Sequence, residues 1–163
     1  MSTEPWQTDH WSVSPHNFDP DIRVEPHRVE LHDITIREGE ECADLAYSVD
    51  DKVRIAEALA TVGIRRSELF LTVPGWKEAV RAIRQRQLPL DLYVNWHPGR
   101  VEQAIDLGVR HVMVWYVIGE HLQTHAIGRS RSELEREAAD HIAAAVAAGC
   151  HVNLFMPETS RTP

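Results

Sequence analysis

In LDLYVNWHPGRVEQAIDLGVRHVMVWYVI, residues 90–118, two apolar runs flank a short amphipathic segment. Leu90–Trp96 (LDLYVNW) predicts a strand, and Arg100–Leu107 predicts a short helix that stops before Gly108. His111–Ile118 (HVMVWYVI) predicts a second strand, almost continuously apolar, which calls for cover on both faces. Strand, helix, glycine and strand in that order is the pattern of a parallel βα unit.

The pattern repeats on both sides. Toward the N-terminus, Trp76–Arg86 predicts a helix with Trp76, Val80 and Ile83 on one stripe, and Ser67–Val73 predicts the strand before it, closed by Pro74–Gly75. Ser48 opens a capping signal, SVDD, for a helix over Asp50–Val62. Its apolar residues Ile55, Leu59 and Val62 recur at helical spacing, and Gly63 is placed to end it. Val29–Ile36 (VELHDITI) predicts the first strand, with Leu31, Asp33 and Thr35 on one face and His32, Ile34 and Ile36 on the other. The Ile34/Ile36 face is assigned to the helices, which makes His32 a packed or capped histidine. A polar loop is expected from Arg37 to about Tyr47. Toward the C-terminus, Ser130–Ala148 predicts the longest helix and Cys150–Phe155 a fifth strand.

Three helices give way to glycine, an apolar residue and then a strand: Gly63–Ile64, Gly108–Val109 and Gly149–Cys150. The fold class is therefore α/β with parallel strands. Periodicity leaves two architectures open, an open five-stranded sheet or the front five βα units of a TIM (β/α)8 barrel, which takes about 250 residues when complete. Residues 1–27 carry Pro5, Trp6, Trp11, Pro15 and Pro20 in a polar background and read as an extended N-terminal arm, with the organised βα domain over 28–163.

Composition narrows the function classes. The 163 residues, 43% hydrophobic and 26% charged, fit one globular domain. Net charge is −8, from 17 basic and 25 acidic residues, with no block of Lys or Arg, which argues against a nucleic-acid partner. No eighteen-residue apolar run and no secretory pattern is present, so no membrane partner and a cytoplasmic location are expected. Cys42 and Cys150 stand far apart without a CxxC, so two reduced thiols are expected rather than a disulfide framework or zinc ribbon.

Chemistry concentrates in LHDITIREGEE, residues 31–41. Asp33, Arg37, Glu38 and Glu40 gather at the C-terminal end of the first strand, where α/β folds place their sites. On a straight strand Asp33 and Arg37 would lie roughly 13 Å apart, so the chain must turn for them to meet. An oriented guanidinium presents donors to a carboxylate or enolate oxygen, and Glu38 offers hard oxygens to a divalent metal. By charge pattern alone, a solvated surface loop is the better reading of the segment. His121 and His125 lie four apart, but HLQTH lacks the glutamate of HExxH and reads as loop. Surface or substrate-loop histidines are expected there rather than a ligand pair. His111 and His151 open their strands at the end opposite the site and are assigned to stability, while Trp96, Trp115 and Tyr116 are assigned to the core.

DITIREGE resembles the D-x-T-L-R-[DE]-G-E-Q signature of the DRE-TIM metallolyases: the homocitrate, isopropylmalate and citramalate synthases and hydroxymethylglutaryl-CoA lyase. The likeness continues through SVDDKVRIAEALATVGIRRSEL and covers residues from about 29 to the C-terminus. It implies a pyruvate carboxyltransferase-like barrel that serves amino-acid biosynthesis. In it, Arg37 would stabilise the reacting oxygen, Asp33 and Glu68 would orient Arg37, and Glu38 would be the first-strand metal ligand. His97 in NWHPG, Arg161 in RTP and Glu41 at the motif's glutamine position would contact substrate. The implied cofactor is a divalent metal cation (Zn, Mg or Mn). The implied activity is an acyltransferase that condenses acetyl-CoA with a 2-oxo acid, with a carbon–carbon lyase as the alternative.

Three positions depart from the family pattern: Glu41 for glutamine, and Gln123 and Ile127 for the arginine and histidine of the fourth-strand loop. The H-x-H pair that completes the family's metal site does not occur among these residues. This chain alone is therefore expected to be inactive, and to work as a homo-oligomer or with a completing C-terminal half. A non-catalytic subunit is the further alternative.

Overall fold

The chain is seen in a computed structural model that describes residues 13–22 and 30–162. In chain order the elements are β1 (His32–Asp33), α1 (Thr35–Glu41), α2 (Val49–Thr61), β2 (Arg66–Leu69), α3 (Trp76–Gln85), β3 (Asp91–Asn95), α4 (Val101–Asp106) and β4 (His111–Trp115). A single turn, α5 (Glu120–Leu122), then runs into a π-helical turn over Gln123–Ile127, followed by α6 (Arg131–Ala147) and β5 (His151–Phe155). Of the predicted arm, residues 13–22 are described. They hold a 3₁₀ turn at Pro15–Phe18, and the Ser14 amide donates to the Ser160 carbonyl at 2.6 Å. The rest of the arm lies outside the described residues.

The five strands form one sheet in the order β1-β2-β3-β4-β5. Pairing is parallel with His32 beside Arg66, Glu68 beside Tyr93, and Tyr93 beside His111. Each strand lies next to its sequence neighbour, so the order never reverses as it does in doubly wound sheets. Barrel folds add strands in this successive way. Two compact units divide the described chain, one of residues 30–114 with 141–153, the other of 13–22, 115–140 and 154–162.

The first unit holds the core. Leu69, Leu92, Val94, Val112 and Val114 are buried on one sheet face, and α2, α3 and α4 contribute Val53, Ala56, Trp76, Val80, Ile83, Val101 and Ala104. Each large aliphatic side chain so buried contributes about 1.5–3 kcal/mol. The Trp76–Val80–Ile83 stripe of α3 is buried as its spacing predicts. Gly63, Gly108 and Gly149 all have positive φ, +87°, +88° and +73°, the left-handed conformation that ends a helix and re-aims the chain into a strand.

Several local readings change. The first strand stops at Asp33 rather than Ile36, because the Asp33 carboxylate accepts the Thr35 amide (3.0 Å) and hydroxyl (2.8 Å) and turns the chain into α1. What the sequence offered as a polar loop from Arg37 is thus helical to Glu41. Ile36 is fully buried on α1, so it does not mark the face of His32. His32 instead lies with Glu68 and Tyr93, edge-on to the Tyr93 ring at 4.7 Å, on the sheet face opposite Val94 and Val112. On α2 the Ser48–Asp51 capping box forms as predicted, but the buried stripe is Lys52, Val53 and Ala56. Val62, assigned to that stripe, is 75% exposed. Trp115 is likewise not core: β4 ends there, and its ring stands exposed against Phe155 at 4.9 Å. The HLQTH segment is helical rather than loop.

Candidate functional site

The site is built by the end of β1, helix α1 and β2. Once Asp33 has turned the chain, Arg37, Glu38 and Glu41 share the exposed side of α1, with Ile36 and Gly39 buried beneath. The Arg37 guanidinium contacts Glu38, lies 3.6 Å from Glu41 by Nη2, and lies 3.8 Å by Nε from Oε1 of Glu68. Its carbon sits 5.0 Å from the centre of the Phe70 ring. Glu68, 3% exposed on β2, uses its other oxygen toward His32 Nε2 at 3.5 Å. One cation thus faces three carboxylates, of which only Glu68 is buried. A guanidinium held from behind by a buried acid and an aromatic face keeps its outer donors in a fixed plane.

The sequence gathers Asp33, Arg37, Glu38 and Glu40 at the end of the first strand, but Glu40 turns inward to Lys52, and Glu41 and Glu68 join Arg37 and Glu38 instead. Asp33 sits one turn earlier, and its carboxylate binds Thr35, so it sets the start of the helix that carries Arg37. His97 follows β3, where its carbonyl accepts the Arg100 and Val101 amides at 3.0 Å and opens α4, and its Nδ1 lies 3.0 Å from the Pro98 carbonyl. Arg161 falls in a 3₁₀ turn over Thr159–Arg161, and its side chain lies outside the described residues. Gln123, at the family's arginine position, is buried and donates to the Val117 carbonyl at 2.8 Å.

Two features escape a sequence reading. Lys52 of α2 is buried and ion-paired with Glu40, also buried, which clamps α1 onto α2 one residue from Glu41. A lysine on the Lys52–Val53–Ala56 stripe was the available signal. The Tyr47 ring lies directly over Gly39, where any Cβ would overlap it. Both fix the pitch of the helix that presents Arg37.

A hard divalent cation fits these residues poorly. Among the described residues no three His, Cys, Asp or Glu side chains converge on one point. Glu38 and Glu41 are the hard donors at the outer side of the cluster, and Arg37 already lies against both. Catalytic metals need about three protein ligands.

Successive parallel βα units with an arginine–carboxylate cluster at the carboxyl ends of the first two strands define a barrel-type α/β site. The chain belongs to the HMGL-like family, whose profile matches residues 28–163. It corresponds to the N-terminal part of the DRE-TIM barrel, five βα units of a TIM fold, which settles the architecture left open by periodicity. Homocitrate synthase of Methanopyrus kandleri is 28% identical over 141 residues, covering 84% of this chain and 36% of that protein. The 2-phosphonomethylmalate synthase of Streptomyces rubellomurinus is 28% identical over 137 residues, covering 81% of this chain and 36% of its own. Hydroxymethylglutaryl-CoA lyase from Pseudomonas aeruginosa superimposes with a TM-score of 0.70 at 22% identity, over 80% of this chain and 46% of that one. The Bacillus subtilis HMG-CoA lyase gives 0.67 at 18%, over 80% and 47%. The chain thus spans about a third of these synthases and under half of these lyases. Among the described residues no helix is long and apolar enough to cross a membrane.

Proposed function

We propose that this chain supplies the arginine end of a carbon–carbon bond-forming site, in which acetyl-CoA condenses with a 2-oxo acid. The observation that carries the reading is the Arg37 guanidinium, held by buried Glu68 and Phe70 at the carboxyl end of the sheet. In the condensation a base takes a proton from the acetyl methyl, the resulting enolate carbon adds to the ketone, and the ketone oxygen gains the electron pair as an oxyanion that Arg37 donors stabilise until it takes up a proton. Water then cleaves the thioester and releases the CoA thiol. Glu68 is a positioning residue in this reading, and Asp33 positions Arg37 indirectly through the turn at Thr35. His97, Glu41 and Arg161 are proposed substrate contacts and Glu38 the proposed contact to the family's divalent cation. No step is routed through that cation, because its remaining ligands are not among the described residues.

Activity is proposed for an assembly, either a homo-oligomer or this chain with a completing C-terminal half. The exposed Trp115 and Phe155 rings and the sheet edges at β1 and β5 support such an assembly. The test is thiol release from acetyl-CoA with a panel of 2-oxo acids and Mg²⁺, Mn²⁺ or Zn²⁺, using the protein in its native assembly. Arg37→Ala is expected to abolish turnover there, and retained turnover would refute the role given to Arg37. The lyase reading, supported by the structural neighbours, predicts retro-aldol cleavage without thiol release. Absence of both reactions in an assembly well above 18.6 kDa would leave the non-catalytic subunit as the correct reading.

A further inference from the structure

The segment Gly119–Gly128 is pinned from inside and free outside. Gln123 is its inner anchor, donating to the Val117 carbonyl at 2.8 Å, and the Gly128 amide closes the π-helical turn on the Gln123 carbonyl at 2.8 Å. Gly128 ends the turn in the left-handed conformation at φ +67°. The inserted residue of a π turn changes which side chains stack, and such turns recur at functional positions. Here it leaves His121 and His125 exposed and in ring contact, centres 4.6 Å apart and planes inclined by 56°. Among the described residues neither ring has a hydrogen bond or ion pair; each touches the other.

We infer that His121 and His125 form a two-imidazole chelate for a borderline divalent cation, Zn²⁺ or its neighbours Cu²⁺ and Ni²⁺, on the turn after β4. Imidazole nitrogens without hydrogen-bond partners are available to a metal, and paired histidines four apart on a helix are a recurring zinc arrangement. Nitrogen donors select Zn²⁺, Cu²⁺ and Ni²⁺, whereas Mg²⁺ and Mn²⁺ prefer carboxylate and water. The net charge of −8 favours a cation. With two protein ligands, the remaining coordination positions belong to water, so the site is open rather than a structural cage. Bound metal would tie α5 to the π turn and stabilise the segment by mass action. This proposal is independent of the condensation reading.

The test is calorimetric titration of untagged protein with ZnCl₂, with MgCl₂ as the comparison. One Zn²⁺ per chain is expected, with no Mg²⁺ bound at the same concentration. His121→Gln or His125→Gln alone should weaken Zn²⁺ at least roughly tenfold, since even outer-shell partners of zinc carry that much. The double substitution should abolish the event, while His16→Gln, on an exposed 3₁₀ turn, leaves it intact. Because both rings are exposed, the variants should keep the parent's circular dichroism. Copper EPR should show coupling to two imidazole nitrogens in the parent and one in each single variant. Zinc uptake unchanged in the double variant, Mg²⁺ bound as tightly as Zn²⁺, or no saturable Zn²⁺ event would each overturn the assignment.

Discussion

Helix α1 carries two ion-pair systems that meet opposite fates. Lys52–Glu40 is sealed, with side chains 1% and 5% exposed, and each partner has one opposite charge. Arg37, on the outer side of the same helix, faces three carboxylates, and Glu38 and Glu41 are both 46% exposed. A sealed one-to-one pair has nothing left to offer a ligand and acts as a clamp. An open cluster with surplus acid keeps charge available to chemistry, and its outer pairs are screened by water.

The largest expected effect comes from opening the clamp. Lys52→Ala leaves Glu40 buried without its partner and should cost about 3–5 kcal/mol in urea unfolding. Replacing both partners with apolar residues of similar volume, Lys52→Met with Glu40→Leu, should restore most of that loss, because no buried charge remains. Glu38→Gln and Glu41→Gln should each change stability by no more than about 0.5 kcal/mol. If those two cost as much as Lys52→Ala, the distinction between clamp and open cluster fails.

A second break targets the pitch of α1. Gly39→Ala places a methyl into the Tyr47 ring, and overpacking of this kind costs about 1–3 kcal/mol. Alanine's better helix propensity offsets up to about 1 kcal/mol of that. Gly39→Ala with Tyr47→Ala should recover stability relative to the single variant, and a double variant no better than Gly39→Ala would show that the ring is not the obstacle.

The clamp and the cluster were not equally legible. The βα rhythm was, because Gly63, Gly108 and Gly149 each end a helix for a steric reason written in the sequence. Strand ends were not: Val29–Ile36 and His111–Ile118 were read longer than β1 and β4, since apolar alternation does not record where a side chain such as Asp33 bends the chain away. The charge pattern gathers Arg37 and Glu38 but on its own favours a surface loop, and the family signature is what gives them and Glu68 a role. Lys52 was invisible because a lysine is assigned to solvent by default, and only its position on the buried stripe of α2 contradicts that. HLQTH reads as loop because a glycine follows it, yet Gly128 closes a π turn.

The α2 cap gives a smaller effect that bears on the clamp from its other side. Ser48 Oγ accepts the Asp51 amide at 3.1 Å, and the Asp51 carboxylate accepts the Ser48 amide at 3.1 Å, one residue before Lys52. Ser48→Ala should cost about 1 kcal/mol, the ordinary value of an N-cap. If the cap also aims Lys52, the cost in a Glu40→Leu/Lys52→Met background should be smaller than in the parent. Equal costs would make cap and clamp independent.

The smallest effect distinguishes α1 from the polar face of the sheet. His111 stacks on His151 at 5.0 Å and 15°, packs on Tyr93 at 4.9 Å, and has Asp91 3.9 Å from its Nδ1. Burial holds its imidazolium below the ordinary histidine range, Asp91 works in the opposite direction, and His151 and Arg66 add to the depression. A histidine depressed in the folded state takes its proton more readily when unfolded. The stability it contributes is therefore full above the unfolded pKa of about 6.5 and falls as pH drops from there toward the depressed folded value. His111→Gln removes the titrating ring, so its unfolding midpoint should fall less than the parent's between neutral pH and pH 5. A His111→Gln slope equal to the parent's would place the acid sensitivity on another group of the same face, with His151 the next to replace.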